Sequence, residues 1–457
     1  MFGFIGCDED SQESTHAYIG GEIVNPESEY VVISKNNQIL DTVPLDESNR
    51  FSYKIEEVES NTYFLQHSSE SQLIHMQAGD SLLLRVNTIE FDESLHFSGE
   101  GAGKNNFLIN TFLLNEKNTG LILSHYKIEP EVFAAKTDSI RSARLEDLEE
   151  LKDKHDFSED FLDLANNIIK YEHYDLRERY TFLVNKYYED FAGDFPEEFH
   201  DYRKDVDFNE EKLQTNPAFL RFMHNYLINI SIAHCLKKEG ATNKDCFNLN
   251  GIENIKTRIR VLDTLTDLPL VKKNFLGRLG AQGIIMGKNR EDLISVLELL
   301  QEKGIDNEKL FELRQLGTLQ MAFVPGTSLK NAPFIDSSEK DVVLGEISSK
   351  PTVIYFWSIY SPNHHKEEHK IINEMRKKYP EINFLGLNID LGQTSQWINA
   401  LRKYNYDMDQ EYQLGLMELA GKPLDPALLK NYLNKLLFLD ASGEVIIGDA
   451  YLYSPNF

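Results

Sequence analysis

Sulfur is scarce in this chain. Three cysteines stand among 457 residues, at positions 7, 235 and 246, and no two of them form a Cys-x-x-C pair. Positive charge is short as well. Lys and Arg total 47 against 74 Asp and Glu, a net charge of −27. That balance argues against nucleic acid as a partner and against simple adhesion to anionic lipid, while leaving basic surfaces and cations open. No run of eighteen or more apolar residues occurs, which excludes a membrane-spanning helix on sequence grounds. No G-x-S-x-G elbow is present, and no repeat of fixed period suggests a solenoid.

What remains is the composition of a soluble globular protein, 41% hydrophobic and 26% charged. The length exceeds one ordinary core and calls for two to three domains. The pattern predicts a multidomain α+β chain: an antiparallel β-sandwich over 15–98, a helical middle over 99–321 and an α/β domain over 322–457. The first part shows strand-length alternating runs such as AYIGGEIV, YVVIS and SLLLRV, separated by turn signals including Asn36-Asn37 and Gly79-Asp80. The second shows apolar positions at three- and four-residue spacing, as in FLDLANNIIKYEHYDLRERYTFLVNKYY.

Between them, residues 99–104 read GEGAGK. A phosphate loop needs Gly five residues before the Gly-Lys pair and Ser or Thr after it, where this chain has Ser98 and Asn105. The segment is expected to be a hinge between domains. Cys235 falls near a helix end and Cys246 in the following polar loop. The two are candidates for a disulfide, or else two separate thiols.

Residues 351–372, PTVIYFWSIYSPNHHKEEHKII, organise the last part. Thr352 to Trp357 is β-branched and aromatic, enough for one buried strand. Ser361-Pro362 reads as a helix start, with Ser as N-cap and Pro in the first turn. Ile371, Ile372 and Met375 supply its apolar stripe. This unit resembles the active-site segment of the TlpA/ResA-type thioredoxin-like disulfide reductases of bacterial envelopes. Phe356-Trp357 matches their strand end, Pro362 the middle of their W-C-x-x-C motif and Glu367 their early glutamate. Further matches are the Pro-Gly turn and A-P-x-F of residues 323–334, the strand 383–388, Trp397, and the hairpin 436–447. Residues 15–98 are similar, more loosely, to the β domain that precedes the thioredoxin-like domain in many Bacteroidota proteins of this type.

The resemblance implies a thioredoxin-like fold and at the same time removes its chemistry. The motif reads Ser361, Pro362, Asn363, His364, with both cysteines replaced. Thiol–disulfide exchange needs an attacking thiolate and a resolving thiol, and neither Ser nor His supplies one. The family's cis-proline position, which holds extended substrate, is occupied by Asn434. Relatives add a closing helix past the position of Phe457. The segment Phe4-Ile5-Gly6-Cys7 resembles the end of a lipoprotein signal peptide, with Cys7 lipidated and a longer signal upstream of Met1. Asp8-Glu9-Asp10 resembles a Bacteroidota surface-export tag.

These readings lead to a redox-inactive lipoprotein of the cell envelope at the outer membrane, periplasmic or surface-exposed. It would act as a binding or assembly module for other envelope proteins, anchored in the bilayer through Cys7, with no cofactor. Two alternatives stand beside it. One is a thiol oxidoreductase working through Cys235 or Cys246. The other is a metal-binding protein using the cluster of His364, His365 and His369, since residues 365–369 formally match H-x-x-E-H. A Ser361–His364 nucleophilic pair is the weakest reading, because the sequence offers no group to orient the imidazole. In the plainer reading His364 is an exposed first-turn residue, and the tract 365–369 lies on an exposed helix.

Overall fold

The computed structural model describes residues 15–451 apart from 37, 69, 126, 189–192, 194, 416–417, 420–421 and 424–425. Cys7 and the acidic triplet after it therefore lie outside the described residues. The chain divides into two compact units, Met1–Asn229 and Ile230–Phe457, and the division falls inside the helix Pro217–Leu236.

The first unit opens with two four-stranded sheets. One has the order β4 (Arg50–Ile55), β1 (Ala17–Val24), β7 (Ser81–Asn87), β8 (His96–Glu100). The other has the order β3 (Gln38–Pro44), β2 (Tyr30–Lys35), β5 (Asn61–His67), β6 (Glu70–Met76). Side chains alternate as a sheet with one buried face requires. In β7, Leu82, Leu84 and Val86 are buried while Leu83 and Arg85 face outward. They join Ile19, Val31, Ile33, Tyr63 and Phe97 in a single core. One expectation fails: the sandwich is not purely antiparallel, because β1 and β7 pair in parallel from Tyr18↔Ser81 to Val24↔Asn87. Period-two alternation reports a strand but not its direction. The long path through β2 to β6 gives the chain the crossover that a parallel pair needs.

The expected hinge at 99–104 is not one. β8 runs almost directly into the helix Ala102–His125. Lys104 is no phosphate ligand; its Nζ lies 2.9 and 2.8 Å from the two carboxylate oxygens of Asp80, and both side chains are buried. Asn105 accepts from the His75 N–H at 2.8 Å and donates to the His75 carbonyl at 3.0 Å. Asn106 treats Phe97 the same way, at 2.9 Å each. β6 and β8 are the edges of their sheets, so two adjacent asparagines satisfy edge backbone groups that would otherwise stay open. The rest of the unit is helical, including Pro130–Lys152 and Glu159–Tyr187. Ser158 caps the latter through the Phe161 N–H.

In the second unit Cys235 and Cys246 form a disulfide. Cys246 closes a one-turn helix, Asn243–Cys246, rather than lying in a loop, and is fully buried. Helices Ile252–Leu265, Pro269–Ile285, Arg290–Glu302 and Asn307–Gln320 follow. Then comes a seven-stranded sheet. In chain order its strands are β9 (Pro333–Ile335), β10 (Asp341–Val343), β11 (Thr352–Trp357), β12 (Asn383–Asn388), β13 (Glu411–Leu414), β16 (Lys435–Leu439) and β17 (Val445–Tyr451). A two-residue ribbon, β14 (Glu418–Leu419) with β15 (Lys422–Pro423), stands apart. The sheet order is β10-β9-β13-β12-β11-β16-β17. β11, β12 and β13 are mutually parallel, while β16 runs antiparallel to β11 and β17 to β16. A parallel core closed by an antiparallel C-terminal hairpin, with a helix leaving the end of β11, is the thioredoxin-like arrangement.

β11 is buried along its whole length, as a strand covered on both faces must be. Val353, Tyr355 and Trp357 pack with Ile372, Trp397 and Leu401. On its other face Phe356 meets Phe323 and Tyr432, ring centroids 5.9 and 5.8 Å away. The preceding helices share this body. Lys435 of β16 is fully buried, with Nζ donating at 2.9 Å to both the Ile285 carbonyl and Gln320 Oε1.

Candidate functional site

The turn that delivers the Ser-Pro-Asn-His segment is built by Asp390, just beyond β12. Its carboxylate accepts from Ser358 Oγ and from the Ile359 N–H, both at 2.7 Å, and from Asn388 Nδ2 at 2.8 Å. The helix Pro362–Lys378 begins at once, with Pro362 in its first turn. Ser361 occupies the N-cap position, but its hydroxyl makes no capping bond; only its carbonyl serves the helix, accepting from the His365 N–H at 3.0 Å.

His364 is not an exposed first-turn residue with nothing to do. Its Nε2 lies 2.7 Å from Asn434 Oδ1, with the amide oxygen as acceptor. Asn434, the residue just before β16, thus contacts the start of this helix directly. Among the described residues no peptide bond is cis. Ser361 and His364 share no hydrogen bond, so the nucleophile–base geometry is missing.

The larger correction concerns the helix behind the turn. Its buried positions are His365, Glu368, His369 and Ile372, spaced i, i+3, i+4, i+7. This face was expected to lie exposed in its first turns. Instead it carries three titratable side chains into the domain interior. The glutamate that goes in is Glu368; Glu367, which matches the family by position, stays outside.

Glu411 of β13 anchors this interior. It is fully buried and accepts from the Tyr355 hydroxyl and, at 2.9 Å, from Trp357 Nε1. His369 Nε2 stands 3.2 Å and Arg376 Nη2 3.9 Å from its Oε1. Gly386 makes room for it, because a Cβ there would fall 2.0 Å from Glu411 Oε2. His369 stacks on Tyr406 at 3.6 Å between centroids and donates from Nδ1 to the His365 carbonyl at 2.6 Å. His365 shares a 2.7 Å hydrogen bond between Nδ1 and the Tyr406 hydroxyl, while its Nε2 is buried without a partner. Burial first, then the neighbouring His369, pull its pKa down to about 4, so it is neutral.

Glu368 stands out. It is fully buried and neither carboxylate oxygen has a hydrogen-bond partner among the described residues. The nearest basic atom is His364 Nδ1, 3.8 Å from Oε2. Desolvation, reinforced by Glu411, pushes its pKa well above the ordinary carboxylate range. Both influences favour its protonated form beside Glu411.

The metal reading finds no support here. His365 and His369 commit their Nδ1 atoms within the protein, their ring centroids lie 6.1 Å apart, and no set of three His, Cys, Asp or Glu among the described residues is arranged to hold an ion. Nor, among the described residues, is there a free thiol to approach the turn, since Cys235 and Cys246 are bonded to each other. What the site offers chemically is a dry carboxyl, its pKa raised by burial, below a half-buried imidazole. The signal for it was in the sequence: the 365, 368, 369, 372 spacing marks one helical face, and three of its four residues ionise.

The strand order is that of a thioredoxin-like domain, and Ser361 and His364 stand at the start of the helix that leaves β11. Solved structures similar to this chain carry that fold. One is the thioredoxin domain of a thiol-disulfide oxidoreductase from Bacteroides vulgatus, 15% identical, covering 28% of this chain and 89% of that one with a TM-score of 0.21. Another is a thiol-disulfide oxidoreductase from Bacteroides fragilis, 18% identical over 26% of this chain and 88% of that one, TM-score 0.20. A third is a thiol:disulfide interchange protein from a Bacteroides species, 17% identical over 28% and 86%, TM-score 0.20. At these values the fold assignment rests on the strand order described above rather than on the likenesses. No protein-family model matches the chain, and no curated protein does.

Proposed function

We propose that this protein is a binding or assembly module of the cell envelope that uses a thioredoxin-like domain without thiol–disulfide exchange. The observation that carries the reading is the pair His364 and Asn434. The two positions where such a domain would place its second thiol and its substrate-holding proline are occupied by side chains hydrogen-bonded to each other at 2.7 Å. A disulfide substrate would meet an imidazole and an amide, neither of which forms or resolves a mixed disulfide. The lipid anchor at Cys7, the outer-membrane location and the partnership with other envelope proteins belong to the same proposal and rest on the sequence resemblance alone.

Reduction of insulin coupled to dithiothreitol tests the redox half. The protein should show no turnover beyond that of a variant with Cys235 and Cys246 replaced by serine. Turnover that disappears in that variant would overturn the reading in favour of an oxidoreductase. Affinity purification from detergent-solubilised membranes tests the other half. The protein should partition with membranes in a Cys7-dependent way and bring specific envelope proteins with it.

A further inference from the structure

The N-terminal unit holds a cavity of about 270 Å³ that none of the chemistry above uses. On one side it is lined by Asn61, Thr62 and His75 of β5 and β6, with Asn36 and Ser60 from the turns beside the strands. On the other lie Asp160, Asp163 and Asn167 of the helix Glu159–Tyr187, and beyond them the segment 211–216. Among the described residues Leu164 is its one aliphatic lining residue, and no aromatic ring other than the His75 imidazole faces it. That lining excludes a lipid or a flat aromatic ligand, which need apolar walls.

Part of its hydrogen-bonding capacity is unspent, beside lining residues such as Asn61, Asp163 and Asn216 that are engaged within the protein. Among the described residues, the side chains of Asn36, Asn167, Gln214 and Thr215 make no hydrogen bond. Two polar atoms are fully buried there without a partner, Ser60 Oγ and His75 Nδ1, and His75 is 2% exposed. A buried unsatisfied polar atom costs on the order of 1–3 kcal/mol, so such groups gathered on one cavity call for an occupant. Burial and the nearby Lys104 lower the His75 pKa to about 4, which leaves the ring neutral, one nitrogen a donor and one an acceptor.

Charge narrows the class. Among the described residues, Asp160, Asp163 and Glu211 face the cavity against a single cation, Lys212. That lysine is engaged by Asp163 at 2.7 Å and approaches Asp160 at 3.9 Å. An anion is disfavoured. A metal is not indicated either, since no three His, Cys, Asp or Glu among the described residues are set to coordinate one. The volume lies just under the roughly 300 Å³ at which pockets for drug-sized ligands begin.

We infer that this cavity is a binding site for a small hydroxylated amine of monosaccharide size, its hydroxyls met by the amides and hydroxyls and its ammonium group by the carboxylates. The inference is independent of the redox question, which concerns the other unit.

Calorimetric titration of the full chain with glucosamine, glucose and glucosamine 6-phosphate tests it. Glucosamine should bind. Glucose should bind about tenfold more weakly, the loss of one charge-assisted hydrogen bond worth about 1.4 kcal/mol, and the phosphate ester should not bind. Asn167→Leu and, separately, Gln214→Leu should each weaken glucosamine about tenfold with an unchanged thermal midpoint and circular-dichroism spectrum. Either variant suffices should the other fold poorly. Absence of glucosamine binding would show a cavity filled by water alone and sink the assignment. Glucose binding equal to glucosamine, preference for the phosphate, or binding untouched in both variants would each overturn it as well.

Discussion

Glu178 in the N-terminal unit and Glu368 in the C-terminal one are both fully buried helix residues, and they are treated in opposite ways. Glu178 accepts from Arg203 Nε and Nη2 at 2.7 Å each, from the Tyr202 hydroxyl at 2.8 Å and from Asn229 Nδ2 at 2.6 Å. A bidentate guanidinium and two neutral donors complete its shell. Glu368 has no such partner, and its strongest charged neighbour is another carboxylate. The contrast separates two uses of a buried acid. A satisfied carboxylate ties segments distant in sequence together, here 178, 203 and 229. An unsatisfied one stores a proton, because in a dry interior neutralisation is cheaper than ionisation.

The largest effect is expected where the satisfied shell is broken. Arg203→Ala leaves the Glu178 charge buried without its cation, which costs about 3–5 kcal/mol when one member of a buried pair is removed. Urea denaturation followed by the tyrosine-rich near-ultraviolet signal would measure it. A loss below about 1 kcal/mol, the range of a surface pair, would show that Glu178 is hydrated or protonated and that the contrast is false.

A smaller and pH-dependent effect is expected from Glu368→Gln. With the folded pKa raised above the unfolded value of 4.5, the native state binds the extra proton. Stability therefore falls as pH rises above that value, by up to about 1.4 kcal/mol per unit until the folded pKa is passed. His365 works in the other direction. Its folded pKa of about 4, against 6.5 unfolded, gives stability that is present above 6.5 and lost as pH falls toward 4. The two windows overlap, so the difference between wild type and variant is the proper readout. Denaturation midpoints should favour the glutamine variant more at pH 8 than at pH 5. A difference independent of pH would mean that Glu368 is ionised in the fold.

Much of this architecture was legible in the chain. β11, β12 and the C-terminal hairpin stand where strand-forming residues and the Ala441-Ser442-Gly443 turn put them. These are local signals, and one buried strand needs little context. Ser361 and His364 are plain from identity, whereas their reading as a replaced motif rests on the resemblance. The orientation of the helix behind it was not read. His365, Glu368 and His369 look solvated by residue type, and only Glu411 with Tyr355 and Trp357, brought together by the sheet, makes an interior that receives them. The parallel pairing of β1 with β7 was likewise invisible, being a property of the path and not of either strand. The junction at 99–104 misled for a related reason. Its glycines suggested looseness, yet Gly99 has φ of +92° and a Cβ there would meet the Ser81 carbonyl at 2.1 Å, so glycine serves a close approach.

The smallest expected effect belongs to Asn434, at the outer end of the unsatisfied region. Its hydrogen bond to His364 is partly exposed, so Asn434→Ala should cost no more than about 0.5–1.5 kcal/mol. Stability is the wrong place to look for its role. In the wild type the amide oxygen accepts from Nε2, while Nδ1 lies 3.8 Å from the Glu368 carboxyl. Without it neither tautomer is selected, and the imidazole is free to turn its N–H toward the acid. Nitrogen-15 chemical shifts of the His364 ring should report a single Nε2–H tautomer in the wild type and a mixture in the variant. The Glu368→Gln background, where the buried group donates from an amide, should shift that mixture again. Indistinguishable ring spectra in all three proteins would mean that His364 and Glu368 do not sense one another, and the stored proton would then be sealed off from the surface turn.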